Sequence, residues 1–333
     1  MAQAAVLAGL GAWLPPDVVT NDDLAAVLDT DDEWIRTRTG IRQRHVVAPG
    51  EATSDLAVEA GARALKSAGQ EHADAVVLAT STPDRPCPAT APDVAARLGL
   101  QGVAAFDVGA VCTGFIYALA TAAGLLATDA AGSVLVIGAD TFSTILDPKD
   151  RTTRAVFGDG AGAVLLRSGS KDETGALRGL TLGSDGSRSE LIEIPGGGSR
   201  QRSTGRPVTD ADLYFTMQGR AVFAEAVQRM EGSVRHSAER AGWQLADIDR
   251  FVPHQANARI ITALAARLGV PVEAFASNID RVGNTVAASI PLALADEVTH
   301  NRLRVGDQVL LTGFGGGLTW GSIALTWPDL TAA

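Results

Sequence analysis

The sequence predicts an α/β protein of five layers, α/β/α/β/α, built from two duplicated βαβ halves. Three observations lead there. The stretch "AARLGL" at 95–100 returns almost unchanged as "AARLGV" at 265–270. The segments around the two copies follow one order, with short apolar strand patterns alternating with helix patterns. Such alternation implies a mainly parallel sheet covered by helices on both faces. Finally, the run 114–127 is apolar almost all round, the pattern of a helix buried on every side. A helix layer shared between two sheets needs that. A chain of 333 residues is long enough for two domain-sized units and a sizeable core.

Taken in order, the opening "MAQAAVLAGLGAWLPP" has no basic start and is broken early by Gly and Pro. It reads as a first strand, not as a signal peptide or a membrane span. "ADAVVLAT" (73–80) is a short apolar strand after an acidic turn, and the first repeat copy follows. "AAFDVGAVCTGFIYALATAAGLL" reads as strand, Gly-containing turn and helix, and "GSVLVIGAD" (132–140) as another strand. The halves divide near 170 in "SGSKDETG", giving 1–170 and 171–333. Within the second half, "PGGGSRQRSTGRP" (195–207) reads as a mobile surface loop. Then the order repeats. "IDRFVPHQ" (248–255) precedes the second copy, "AFASNIDRVGNTVAASIPLALADEV" reads as strand, turn and helix, and "GDQVLLTGFG" (306–315) closes the series.

The net charge of −10 argues against nucleic acid, which needs a basic face. Two cysteines cannot form a disulfide framework and fit a reducing compartment. No run reaches the length of a membrane helix, so the expectation is a cytoplasmic protein that does not engage a membrane. There is no C-x-x-C, and Cys87 in "RPCPAT" has no His neighbour, so no metal site is expected. Against the acidic background, Arg36, Arg38, Arg42 and Arg44 in "RTRTGIRQRH" stand out.

In open α/β sheets, ligands bind beyond the carboxyl ends of the strands. If the repeat is real, four features share that edge. Cys112 lies at the strand-to-helix turn of the first half and Asn284 at the matching turn of the second. His254 ends the strand "RFVPH", and "GFGGG" (313–317) ends the last long strand. A helix N-terminus lowers a thiol pKa, so Cys112 is expected to be an activated nucleophile for thioesters. A neutral imidazole Nε2–H and a side-chain amide are both donors. Aimed at one oxygen, His254 and Asn284 would hold the enolate left when a carboxylate departs as CO2. The glycines at 315–317 let a backbone N–H approach a second oxyanion, where one donor is worth about 3–4 kcal/mol.

The stretches "DDEWIRTRTGIR", "VCTGFIYAL", "FGDGAGA", "VPHQAN", "RVGNTVAAS" and "GFGGGLTWGS" resemble the β-ketoacyl-acyl carrier protein synthase III family of the thiolase superfamily. The likeness runs from about residue 6 to 327. It implies a thiolase-like fold, a homodimer, no metal or redox cofactor, and condensation of an acyl-CoA starter with malonyl-acyl carrier protein (ACP) to give 3-oxoacyl-ACP. By resemblance, Cys112, His254 and Asn284 are catalytic, and the backbone N–H groups of Cys112 and Gly316 form the oxyanion hole. Trp34, Arg38, Thr39, Arg151 and Asn257 bind CoA, and Gln255 and Arg259 meet the carrier protein. Cys87, reaching across the dimer, Phe142 and Phe314 border the acyl pocket, with Phe314 packed beside Cys112.

On the helices after "HQAN" and around "MQGR", only Arg259, Arg267 and Arg220 are obvious docking candidates, a thin patch that suits a polyketide as well as a fatty-acid carrier. Two other readings stay open at this point. A related acyltransferase would move the acyl group to a hydroxyl or amine without condensation, but it would not need the amide of Asn284. A non-catalytic subunit shaping an acyl pocket would not need a nucleophile.

Overall fold

The computed structural model describes residues 3–332. One sheet holds β1 (Gln3–Trp13), β2 (Ala75–Ala79), β3 (Ala104–Val108), β4 (Ser133–Asp140) and β5 (Gly160–Ser170), in the spatial order β1-β5-β4-β2-β3. A second sheet holds β6 (Leu177–Ser184), β7 (Arg250–Pro253), β8 (Gln308–Gly315) and β9 (Thr319–Thr326), in the order β7-β8-β9-β6. The helices that matter here are α1 (Asp32–Thr39), α2 (Thr53–Ser67), α3 (Ala91–Arg97), α4 (Gly114–Ala127), α5 (Gly219–Ala241), α6 (Ala258–Leu268) and α7 (Ser289–Thr299).

Strand alternation sorts the buried side chains into layers. Ala75, Val77, Val134, Val136, Val309 and Leu311 face inward, onto α4 and α7 between the sheets. Their neighbours Val76, Leu78, Leu135 and Ile137 face outward, onto α2 and α3. On the other sheet, Phe251, Leu310 and Phe314 face outward, onto α5 and α6. The result is the expected five layers. Each fully buried Val, Leu or Ile stabilises by about 1.5–3 kcal/mol, so the strands that are apolar on both faces anchor the frame.

The inner face is tight enough to require glycine at one crossing. A Cβ on Gly138 would lie 2.4 Å from the backbone oxygen of Ala287, so no side chain fits where β4 meets the second half.

Four expectations need correction. The sheets are mixed rather than mainly parallel. β2 pairs parallel with β3 and β4, and β7 with β8. β5 runs antiparallel to β1 and β4, and β9 to β8 and β6.

The strand expected after the second repeat shrinks to a single bridge, Phe251 to Phe275. There the Phe275 ring stacks on Phe251 at 4.9 Å, and Gln255 takes over the pairing by donating to Ala276 O and accepting from Asn278 N. The helix α4 is not buried on every side: Gly124 and Ala127 are exposed in its last turn, although Ala122 and Leu126 remain buried. The segment 195–207 is not all loop: after Gly198, the residues Ser199–Ser203 make a short exposed helix.

Candidate active site

Two tight elbows from opposite halves meet between the sheets. In the first, Val111–Thr113 forms a 3-10 turn that leads into α4. In the second, Val286–Ala288 forms the same turn and leads into α7. Each opens on a β-branched residue held in the left-handed region, Val111 at φ 46° and Val286 at φ 51°. Such backbone costs of order 1–3 kcal/mol and persists only where the surroundings enforce it.

Cys112 sits in the first elbow at 8% exposure. It belongs to the apolar cluster of Phe142, Leu146, Phe157, Phe215 and Val286. The end of β8 runs alongside. A Cβ on Gly313 would lie 3.5 Å from Cys112 O and 3.8 Å from the Cβ of His254, so Gly313 lies between the thiol-bearing turn and the histidine. A Cβ on Gly315 would lie 2.9 Å from Cys112 N. Glycine therefore keeps the space at the Cys112 N–H clear of side chains. Gly316 stands next to it, with a Cβ position 3.3 Å from Cγ2 of Val111.

His254 ends β7, and its backbone N–H donates to Thr312 O at 2.8 Å. Its ring is buried. Nδ1 lies 2.5 Å from the Ser289 hydroxyl, while Nε2 is buried without a hydrogen-bond partner. The Gln255 N–H also reaches Ser289 Oγ, at 3.3 Å. A Ser289 hydroxyl that donates to Nδ1 selects the tautomer with the ring proton on Nε2, the nitrogen left without a partner. Burial pushes the imidazole pKa down to about 3, so the ring is a neutral donor at any working pH.

Asn284 is fixed from both sides. Its N–H donates to Val156 O and its C=O accepts from Gly158. Its Oδ1 accepts from the Val286 N–H at 3.0 Å, which leaves the NH2 as the free end of the amide.

Burial works against the expected activation of Cys112 by a helix terminus. Burial pushes the thiol well above the ordinary range, and the Asp140 carboxylate pushes the same way; the backbone N–H of Cys112 opposes them more weakly. Cys112 lies in the 3-10 turn that runs directly into α4, and desolvation dominates in so apolar a cluster. At rest Cys112 is a neutral thiol.

Around the entrance, a cavity of about 780 Å³ is lined by Trp34, Arg38, Thr39, Met217, Asn257 and Arg259, among others. Trp34 and Met217 also pack on the cluster that contains Cys112, which ties the cavity to the thiol. The guanidinium of Arg38 lies 4.5 Å from the centre of the Trp34 ring and that of Arg151 lies 5.0 Å from it. Arg151 is also held by Asp29. The Thr39 hydroxyl is committed, donating to Ile35 O and accepting from Ile41 N, so Thr39 shapes the wall only. Asn257 caps α6 through Arg259 N and donates to Arg38 O. Of the remaining basic cluster, Arg44 is buried and holds Asn21 Oδ1 and Ala155 O.

Two assigned residues fall outside their expected places. Gln255 is fully buried, with its amide spent on Pro253 O and Ala276 O, so it cannot meet a carrier protein. Phe314 does not pack beside Cys112. Gly313 and Gly315 face the thiol turn, so strand alternation turns Phe314 the other way, into the cluster under α5 and α6. Cys87 is exposed and lies apart from the Cys112 cluster within this one chain. Phe142 is in that cluster, with its ring 4.6 Å from Phe157 and 4.9 Å from Phe215. The residues that sequence reasoning missed are Ser289 and Asp140, while Gly315 was read only as part of a glycine run.

Residues 106–186 match the family described as 3-oxoacyl-[acyl-carrier-protein] synthase III, and residues 238–327 match its C-terminal part. A β-ketoacyl-[acyl-carrier-protein] synthase III of Streptomyces coelicolor is 60% identical over the full length of both chains. The crystal structure of FabH, the 3-oxoacyl-ACP synthase III of Pseudomonas aeruginosa, superposes with a TM-score of 0.93 at 54% identity, covering 98% of this chain and 99% of that one. The priming β-ketosynthase of the R1128 polyketide pathway superposes at 0.91 with 33% identity, covering 98% and 97%. The five layers are thus those of the thiolase fold. With full-length identity this high, the chain belongs to the β-ketoacyl-acyl carrier protein synthase III family.

Proposed function

We propose that the protein carries out a decarboxylative Claisen condensation of an acyl-CoA starter with malonyl-ACP, through an acyl-enzyme on Cys112. The observation that carries this reading is the pair of free donors. The partnerless Nε2 of buried His254 and the amide NH2 of Asn284 serve a developing enolate, and a simple acyl transfer has no use for them.

In the first half-reaction the Cys112 sulfur attacks the thioester carbonyl, whose oxygen is received by the Cys112 and Gly316 N–H groups. The C–S bond to CoA breaks, and the thiol proton of Cys112 ends on the departing CoA sulfur. Malonyl-ACP then enters. His254 and Asn284 hold its thioester oxygen as the C–C bond to the carboxylate breaks and CO2 leaves. The enolate carbon attacks the Cys112 thioester, the C–S bond breaks, 3-oxoacyl-ACP departs, and the released thiolate takes a proton from water. Decarboxylation supplies the electron pair, so the reading asks for no base of high pKa and no cofactor.

Coenzyme A enters by the cavity at Trp34, where its adenine takes the place of one guanidinium on the indole and the arginines turn to phosphate. Arg259 and Arg220, at the cavity wall, suit the acidic surface of a carrier protein. The reading includes a homodimer in which Cys87 reaches the partner's acyl pocket, and a cytoplasmic site of action.

The test is intact-mass analysis after incubation with a panel of acyl-CoAs, followed by malonyl-ACP with CO2 release measured. Cys112→Ala should take no acyl group. Asn284→Ala should take it and release almost no CO2. Loading of Cys112→Ala at another residue would refute the nucleophile, and equal loss of both steps in Asn284→Ala would refute the division of labour.

A further inference from the structure

The two elbows are copies filled in opposite ways. One sequence offset relates Val111 to Val286, Cys112 to Ala287, Ala79 to His254, and Asp140 at the end of β4 to Gly315 at the end of β8. Across the interface between halves, Gly315 leaves the Cys112 N–H clear. Asp140 does the reverse. Its Oδ2 accepts the Ala287 N–H at 2.9 Å. Its Oδ1 accepts Ser81 N at 2.7 Å and lies 3.3–3.4 Å from the Thr82 and Thr80 hydroxyls. Where one elbow offers its N–H to a substrate oxyanion, the other has it occupied by a carboxylate of the protein.

The two elbows are also secured differently. Thr113 ties the first by donating to Thr319 O and accepting from the Thr319 hydroxyl. The counterpart of Thr113 is Ala288, which has no hydroxyl. The carboxylate of Asp140 is the side-chain tie there, and Asp140 is fully buried. Next to it, the Val286 N–H holds Asn284 Oδ1.

We infer that Asp140 is a positioning residue for the decarboxylation step: by holding the Ala287 N–H it fixes the second elbow and so aims the Asn284 amide. This rests on the condensing activity proposed above. An asparagine at 140 has the same shape but one NH2. Facing either side, that NH2 meets a backbone donor, Ser81 N–H or Ala287 N–H, and leaves it unpaired. The Cys112 elbow keeps its own tie through Thr113 and is untouched.

The experiment is Asp140→Asn in the full chain, with acyl loading on Cys112 followed by intact mass and with CO2 release and product formation followed against malonyl-ACP concentration. The expected result is loading within about two-fold of wild type, a condensation kcat lower by about ten-fold or more, and a KM for malonyl-ACP within about three-fold, since misplacing a reacting group acts on kcat. If the Asn variant does not fold, Asp140→Ser carries the same measurements, its hydroxyl serving one backbone donor at most. Equal loss of loading and condensation in a folded variant, or no loss of either, overturns the inference. A wild-type chain that takes no acyl group at Cys112 would instead refute the condensing activity itself.

Discussion

Removing one hydroxyl at Ser289 tests how the histidine is used. Ser289 is buried, 2.5 Å from His254 Nδ1 and 3.3 Å from Gln255 N. In Ser289→Ala the imidazole loses the group that keeps its proton on Nε2, and the Gln255 N–H loses an acceptor. A buried polar group left unpaired costs about 1–3 kcal/mol, so the thermal midpoint should fall by a few degrees in a chain of this size. Catalysis has a ceiling, because deleting an oxyanion donor outright costs about 10²–10³-fold. It also has a floor, because the ring is still present and only its tautomer and aim are freed. A lost hydrogen bond of about 0.5–1.5 kcal/mol corresponds to roughly 2–12-fold. Condensation should therefore slow by about 10–100-fold, between these limits.

The assay is CO2 release from malonyl-ACP by enzyme already acylated, so that loading does not enter. Ser289→Thr keeps the hydroxyl and should restore most of the rate. Full condensation by the Ala variant would refute the argument, and so would a Thr variant as slow as the Ala variant.

Gly315→Ala should lose acyl loading as well as condensation, because the new Cβ would lie 2.9 Å from Cys112 N; normal loading would show that this N–H is not used. Phe142→Leu should shift loading toward acyl chains longer than the wild-type optimum, since Phe142 fills space in the Cys112 cluster and each methylene in an apolar pocket is worth about 1–3 kcal/mol; an unchanged chain-length profile would remove Phe142 from the pocket. Arg38→Ala and Arg151→Ala should raise KM for CoA thioesters while sparing pantetheine thioesters, because both guanidinium groups stand at the Trp34 ring; equal loss on the two substrates would place the nucleotide elsewhere. Urea melts at pH 6.5 and 5 should separate two buried groups. His254, lowered to about 3 by burial, withdraws stability as pH falls through 6.5, by something on the order of 1 kcal/mol across that interval. Asp140, raised to about 7 by burial, returns a similar amount because the folded state then binds the proton. Asp140→Asn should become acid-labile and His254→Gln should not, and the opposite order would contradict both assignments.

The layers were legible because they depend on which residues are apolar and how often. Val76 and Val77 alternate between outer and inner clusters as a strand period requires, and the repeat located both elbows. The parallel reading failed because β5 and β9, the two strands that run against their neighbours, carry no mark of direction in their composition. Phe314 was misplaced because a motif gives its neighbours but not its face, which is fixed by the glycines on either side of it. The thiol was misread because helix position is visible in sequence and desolvation is not: the phenylalanines around Cys112 come from positions 142, 157 and 215. Gln255 follows His254 in the chain and so looks like a surface neighbour of the site, yet it turns inward to replace a missing strand.

Duplication explains why the four chemical features converge and why only one site exists. Each elbow receives the strand end of the opposite half, so a complete site draws on both halves. Around Cys112, the second half supplies His254, Gly315 and the neighbouring elbow with Asn284. Around Ala287, the first half supplies Ala79 in place of the histidine and Asp140 in place of the glycine. Converting Ala287 to cysteine would thus produce a thiol with its N–H already taken, no imidazole donor and an acid beside it. The asymmetry is chemically economical. The inactive elbow spends its N–H on a fixed carboxylate, and the resulting rigidity serves the amide of Asn284, three residues before the turn's second position. On the reading proposed above, one copy performs acyl transfer and the other holds a donor still for the step that follows.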